Sequence, residues 1–200
     1  MFFLMKKLLA IAVLCLFIVT PSQADDIRDF QIEGMSVGDN LLNYFNKNQI
    51  DNILGTYYPN SKKFKMISLS SEFSLQTYDD FYVTLNEEKN DYKIHEIKGS
   101  IHIKNEKDCL IEKKKIVNIL RELSKGNSKE NSYTNNSKQD KSGKSKYHST
   151  DFISEDGVAR TYCLTWSEKL KKEKGWKNGL HVIVYDTEFR NFLNNEAWGN

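Results

Sequence analysis

The sequence predicts an α+β protein: an antiparallel sheet with helices packed on one face, built from two α-β-β-β units. Three observations carry that expectation. Period-two alternation recurs in short runs, as in Phe81, Val83 and Leu85 of "DFYVTL". An apolar stripe of helical period runs through "DCLIEKKKIVNILREL" (108–123). The elements also follow in the order helix, three strands, helix, loop, three strands, short helix. Two tandem small domains would satisfy the same order.

Ahead of the first element stands an export leader. Lys6 and Lys7 precede an apolar run from Leu8 to Thr20, too short to span a bilayer comfortably. Ser22-Gln23-Ala24 supplies small residues at −3 and −1, so cleavage is expected between Ala24 and Asp25. An uncleaved anchor is the alternative. A lipoprotein site at Cys15 is disfavoured because Leu14 stands where a small residue is needed. Residues 1–24 are thus read as signal peptide and 25–200 as a single α+β domain, periplasmic or secreted. No later apolar stretch reaches transmembrane length, so no membrane span is expected in the mature chain.

Removing the leader changes the electrostatics. The full chain holds 29 basic and 27 acidic residues, and losing Lys6 and Lys7 brings the two signs level. That removes the net-charge argument for nucleic-acid binding. The charge is unevenly spread: residues 25–96 carry 13 acids and 7 bases, residues 97–150 carry 6 and 13.

The individual elements read as follows. Ser36, with Asp39 three residues on, is a weak capping box for a helix carrying Val37, Leu41, Tyr44 and Phe45. Tyr58-Pro59-Asn60 breaks the chain. Strands are expected at 63–69, 80–85 and 92–103, the last bulged or divided at Gly99. The second helix has Asp108 as cap and a stripe of Cys109, Ile116, Ile119, Leu120 and Leu123. Residues 124–146, rich in Ser, Lys, Asn and Gly, read as a flexible loop between the halves, too polar to order by burial. Strands resume at 147–154, turn at Asp156-Gly157, and continue at 158–166 and 179–186 with a lysine-rich connection between them. Thr187 caps a closing helix with Phe189, Phe192 and Leu193.

Two cysteines remain after export, so a Cys109–Cys163 disulfide is the default. There is a tension in that pairing. Tyr162, Leu164 and Trp166 share one face of their strand, where a helix is expected, whereas Cys163 points with Thr161 and Thr165. A sandwiched strand, a bulge, or unpaired thiols would each resolve it.

Local motifs for catalysis are scarce. Gly143-Lys144-Ser145 spells the end of a P-loop, but the required first glycine is Lys138 and polar residues flank the stretch. His95 and His102, seven apart, are expected on opposite faces of a regular strand. His148 and His181 stand alone, and no metal-ligand spacing is present. No serine has glycine at both −2 and +2. Asp79-Asp80 and Glu87-Glu88 read as turn and edge residues. No catalytic, cofactor-binding or metal-ligating residue is assigned. Aromatic content is the remaining signal: Tyr82, His102, His181 and Tyr185 are candidates for a binding face on the less buried side of the sheet. Cross-strand pairing within the sheet is the alternative use of those rings.

Two resemblances bear on this reading. "FQIEGMSVGDNLLNYF", "DKSGKSKY", "YCLTWSE" and "TEFRNFLNNEAW" resemble an uncharacterised family of small exported bacterial proteins, over most of the mature chain. That likeness implies export and no particular activity. Gly34-Met35-Ser36 resembles the turn that opens β-lactamase-inhibitor-protein-like domains, including the small lipoprotein subunit of the outer-membrane barrel assembly machine. That match covers only about residues 32–45 and implies a helix ahead of a curved antiparallel sheet. The absence of a lipobox cysteine argues against a membrane-anchored role. The expectation is an exported protein binding a protein or cell-envelope component, with no nucleic acid and no cofactor. An exported hydrolase-like enzyme, its site converging from separated residues, is the alternative.

Overall fold

The computed structural model describes residues 27–72, 74–124 and 126–198. The leader, and cleavage at Ala24–Asp25, lie outside the described residues. The strands are β1 (Gly55–Tyr58), β2 (Ser61–Ser68), β3 (Asp80–Asn86), β4 (Ile94–His102), β5 (Lys129–Asn136), β6 (Lys146–Ile153), β7 (Gly157–Thr165) and β8 (Gly179–Asp186). Helices are α1 (Lys47–Asn52), α2 (Glu106–Ser124), α3 (Glu168–Lys174) and α4 (Thr187–Asn195). The strands form one antiparallel sheet in the order β1-β2-β3-β4-β8-β7-β6-β5. Two meanders are thus joined where β4 pairs with β8, from Glu96↔Tyr185 to His102↔Gly179. The α+β class holds, but each half contributes four strands rather than three.

The extra strands are the two edges. Both have little to bury: β1 is four residues long, and β5 is exposed along nearly its whole length. β5 falls inside the stretch 124–146 that reads as a flexible loop. It is held by backbone pairing to β6 and by side-chain bonds such as Arg121 to Glu130 (2.9 and 2.8 Å) and Ser132 to Thr150 (2.9 Å). Composition registers burial, and edge pairing needs none. The lysine-rich connection likewise contains α3, capped by Ser167 and closed by Gly175 at φ 68°.

One face of the sheet is covered over most of its strands. Phe30, Ile32, Met35, Val37, Leu41, Phe45 and Ile50 pack on Ile67, Phe81, Val83, Leu85, Ile94 and Ile97 from β2 to β4. Alongside, Val117 and Leu120 of α2 pack on Phe152, Ala159, Val182 and Val184. The first of these layers is mostly irregular. Positive φ at Glu33, Gly34 and Gly38 breaks the expected helix at 36–45 into a turn, a short 3₁₀ segment at Leu41–Asn43 and α1. The Ser36 amide still donates to Asp39, at 2.8 Å, but within a turn.

The second helix runs as expected, though Asn105 rather than Asp108 receives the side-chain cap bond, from the Lys107 amide at 2.8 Å. Its buried residues are Cys109, Val117, Leu120 and Ser124, so Ile119 turns outward. β4 runs unbroken through Gly99, where the Tyr78 ring occupies the space a side chain would need. Asp186, not Thr187, caps α4, accepting from the Phe189 amide at 2.9 Å.

The helices do not all share a face. Phe189 and Phe192 of α4 cluster with Phe64, Val158 and Tyr185, whose side chains alternate with those facing α2. α4 therefore caps one end of the opposite face, correcting the one-sided expectation. The same assignment removes the cysteine tension: α2 lies on the Ala159, Thr161 and Cys163 side, and among the described residues the Tyr162 side is left uncovered by helices beyond α4. Cys109 and Cys163 Sγ lie 2.03 Å apart, at disulfide distance, buried beside Leu180.

The bridge joins residues 54 apart, so the loop-entropy model assigns it about 4 kcal/mol. The double variant Cys109→Ser, Cys163→Ser is expected to lose up to about that much in urea unfolding. Reduction of the unaltered protein should give the same loss. Unchanged midpoints for both would show that the pair contributes no constraint.

Candidate functional site: the uncovered face of the sheet

Directly paired residues share a face, so the register lines up rows across the uncovered side. One row runs Asp80, Ser100, His181, Tyr162, Ser149, Tyr133. The next runs Tyr82, Lys98, Ile183, Arg160, Asp151, Asn131, and a third Thr84, Glu96, Tyr185, Val158, Ile153, Lys129. All four sequence-predicted residues, Tyr82, His102, His181 and Tyr185, fall on this face.

Their environments differ. Lys98 Nζ sits 5.5 Å above the Tyr82 ring. His102 is held between Asp80, 3.1 Å from Nε2, and Asp79, 3.4 Å from Nδ1. His181 stacks under Tyr162 at 4.6 Å. Its desolvation, aided by the nearby Lys98 charge and by His102, pushes its pKa down to about 3, so the ring is neutral at physiological pH. Tyr185 is only 7% exposed and packs edge-on against Phe189, so it belongs to the α4 cluster rather than to a free surface.

Sequence reading misses most of the remaining face. Tyr133, Tyr147, Tyr162 and His181 form a ladder over β5 to β8, with centroid separations of 6.1, 4.5 and 4.6 Å. Beneath it, Arg160 donates to Asp151 through Nε (2.9 Å) and Nη2 (2.6 Å), and Ser149 Oγ donates to the same carboxylate at 2.7 Å. Thr84 Oγ1 donates to buried Glu96 at 2.6 Å. Burial nevertheless pushes the Glu96 carboxyl above its ordinary range, against the pull of Thr84, Lys98 and Arg160. The ladder has a signal in sequence, tyrosines on successive strands, but it cannot be aligned until β5 is recognised as a strand.

The histidines off this ladder have structural partners. The β3–β4 register shifts between Thr84 and Leu85, and Ile94 and Ile97 both enter the core. His95 and Glu96 are therefore both turned to the other side, so His95 lies with His102 and not opposite it. His95 Nδ1 lies 2.8 Å from Asp186, and its ring packs on Phe64. Asp186 also caps α4. Burial raises its pKa, but the bonds from His95 and the Phe189 amide prevail and hold it below the usual range. His148, on the α2 side, bridges Glu106 and Thr134, each at 2.9 Å. Among the described residues no group of three His, Cys, Asp or Glu is placed to hold a metal ion.

The stretch around Gly143-Lys144-Ser145 forms the β5–β6 connection. Asp140 accepts from the Ser142 amide (3.0 Å) and hydroxyl (2.7 Å) and from the Ser145 amide (3.0 Å) and hydroxyl (2.6 Å). These bonds, Ser145 and Ser142 hydroxyls foremost, hold its pKa well below the carboxylate range. Gly143, at φ 70°, donates its amide to the Asp140 carbonyl at 3.0 Å. Amides that a phosphate would need are thus committed to Asp140. Ser145 Oγ also accepts from the Ser167 amide at 2.9 Å, tying the loop to the end of β7.

Two hollows border the face. One, of about 360 Å³, lies between the 137–139 segment and the ladder, walled by Leu164 and Trp166. The other, of about 430 Å³, is lined by His102, Lys104, Lys171, Trp176 and Asn178, with Trp176 packed on Trp166 at 4.4 Å. Comparison with protein-family models, curated proteins and solved structures finds no significant match.

Two pH effects follow from these environments. A raised carboxyl pKa contributes stability below about 4.5 that is lost as pH rises through the shifted value. Glu96→Gln, which keeps the neutral acceptor for Thr84, is therefore expected to melt several degrees higher than the unaltered protein at pH 7. The gap should close by pH 4, and equal melting temperatures throughout would refute the assignment. The depressed His181 acts in the opposite sense: its contribution is present above 6.5 and lost as pH falls toward 3. His181→Phe, which retains a ring under Tyr162, should flatten the loss of melting temperature across that window. An unaltered acid profile would count against buried neutral His181.

Proposed function

We propose that this chain is an exported, non-catalytic binding module that engages a protein or other cell-envelope component through the uncovered face of its sheet. The observation that carries the reading is the asymmetry of the sheet. One face is buried under residues 27–53 and α2, while the other, from β3 to β8, bears aligned rings and charges between α4 and the Trp166–Asn178 segment. Aromatic and arginine side chains in such a setting suit protein or ligand recognition. Export is supported by the leader and by a cysteine pair at disulfide distance, which suits an oxidising compartment, periplasmic or secreted. Among the described residues no helix is long and apolar enough to cross a membrane.

The same reading takes the chain as a member of the family of small exported bacterial proteins. It also takes the two halves as repeats of one helix-and-strand unit in the manner of β-lactamase-inhibitor-protein-like domains. The mirrored strand order about the β4–β8 junction supports the repeat.

Site-specific photo-cross-linking in the native host, followed by mass spectrometry, tests the binding face. A photoreactive residue at Tyr82 or His102 is expected to capture a reproducible partner that one at Ile111 or Ile119, exposed on α2, does not. Capture of the same species from both sides, or of none from the sheet face, would overturn the proposal.

A further inference from the structure

Polar groups on most of the uncovered face are paired with one another: Arg160 with Asp151, Thr84 with Glu96, Ser100 and His102 with Asp80. The hollow beside the 137–145 connection is different. Among the described residues, the side chains of Asn135, Asn136, Lys138 and Gln139 there have no hydrogen-bond or ion partner. Each amide carries both donors and an acceptor; Asn135 shares the face of the ladder and pairs with Tyr147, Gln139 borders the same hollow, and Asn136 alternates toward the α2 side.

That floor is rigid. The inner ring faces are used within the ladder, Tyr147 on Tyr162 at 4.5 Å and Tyr162 on His181 at 4.6 Å. Tyr133, 36% exposed and 6.1 Å from Tyr147, is the ring with a face left over. The wall is rigid too. Asp140 takes four bonds from its own connection, and Ser145 fastens that connection to Ser167. A site whose floor and wall are set beforehand loses less entropy on binding.

The lining selects a ligand class. It holds no carboxylate, and its single cation, Lys138, is exposed at the rim. Unpaired amides match groups that both donate and accept, and a tyrosine face matches an apolar C–H surface. A sugar ring presents both at once, hydroxyls around its edge and C–H bonds across its faces. The hollow of about 360 Å³ is at the small end of ligand sites, which run about 300–1,000 Å³. It borders the edge strand β5, so a longer chain can continue past it into solvent. We infer that this hollow is a subsite for a neutral oligosaccharide, gripped by Asn135 and Gln139 with Tyr133 as the stacking ring. The inference rests on the binding reading above and names its ligand.

The test uses the mature chain with soluble hexamers of glucose, mannose, galactose and N-acetylglucosamine, a hexamer of galacturonic acid, and an extended polar peptide. At millimolar ligand, at least one neutral hexamer is expected to shift the side-chain amide NMR signals of Asn135 and Gln139. Tyr133→Ala and the separate loop variant Gln139→Ala should each weaken that binding at least tenfold, with melting temperature unchanged. Ile111→Ala, exposed on α2 on the opposite face, should leave it intact. Silence of those amides with every neutral hexamer overturns the inference, as does a response confined to the acidic hexamer or the peptide. Cross-linking from Tyr82 remains the separate test of the face as a whole. A partner captured there with no sugar response sinks only the oligosaccharide assignment.

Discussion

Everything on the uncovered face depends on the pairing of β4 with β8. The two strands lie far apart in sequence, so their ladder carries a loop-closure cost that local hairpins avoid. Once made, it fuses two meanders into one sheet and brings Lys98 of the first half beside Ile183 and Arg160 of the second. Close backbone approach on both sides of β8 shows how tightly this seam is drawn. A side chain at Gly179 would meet the Ile101 carbonyl at 2.6 Å, and one at Gly157 would collide with the Tyr185 carbonyl. Only glycine fits at either position without moving backbone. The Cys109–Cys163 pair then ties α2 to β7, beside the seam, and keeps the covering helix on the side away from the rings.

How much of this was legible follows from what each residue buries. β3, β8 and α2 were readable because their apolar side chains alternate or recur against a real core, and their observed limits fall within a residue or two of the expected ones. The N-terminal helix was not, because Gly34 and Gly38 take positive φ and the apolar residues pack as an irregular layer instead. Of the four residues of that stripe, Val37, Leu41 and Phe45 are buried and Tyr44 is exposed. β5 was invisible for the opposite reason, since its stability comes from backbone pairing and exposed polar pairs.

The candidate site shows the same division. Tyr82, His102, His181 and Tyr185 share one face of the sheet, yet strand parity says nothing of how deeply a side chain sits. Tyr185 is taken up by α4 and His181 by Tyr162. His95 was placed on the wrong face because the β3–β4 bulge adds a residue that a regular strand lacks. A bulge of this kind is written in the partner strand as much as in its own, and no single-strand pattern reveals it.

The two edges of the sheet close the argument about where this protein meets its surroundings. β1 is short, shifts register at Tyr57–Tyr58 and ends against Pro59. Its Tyr58 ring is locked among Phe189, Phe192 and Trp198 at 5.3 to 5.8 Å. Bulges, proline and short length are devices that protect an edge from other chains. β5 is eight residues long, pairs with β6 without a register shift and has its single aromatic residue exposed. Its continuation, the Asp140-anchored connection, spends its own polar groups on rigidity while leaving neighbouring amides unpaired. Stiffness there does not serve the main core, which lies on the other face. It fixes the backbone that carries Gln139 next to Asn135 and Tyr133, and a preset backbone is what a ligand site requires.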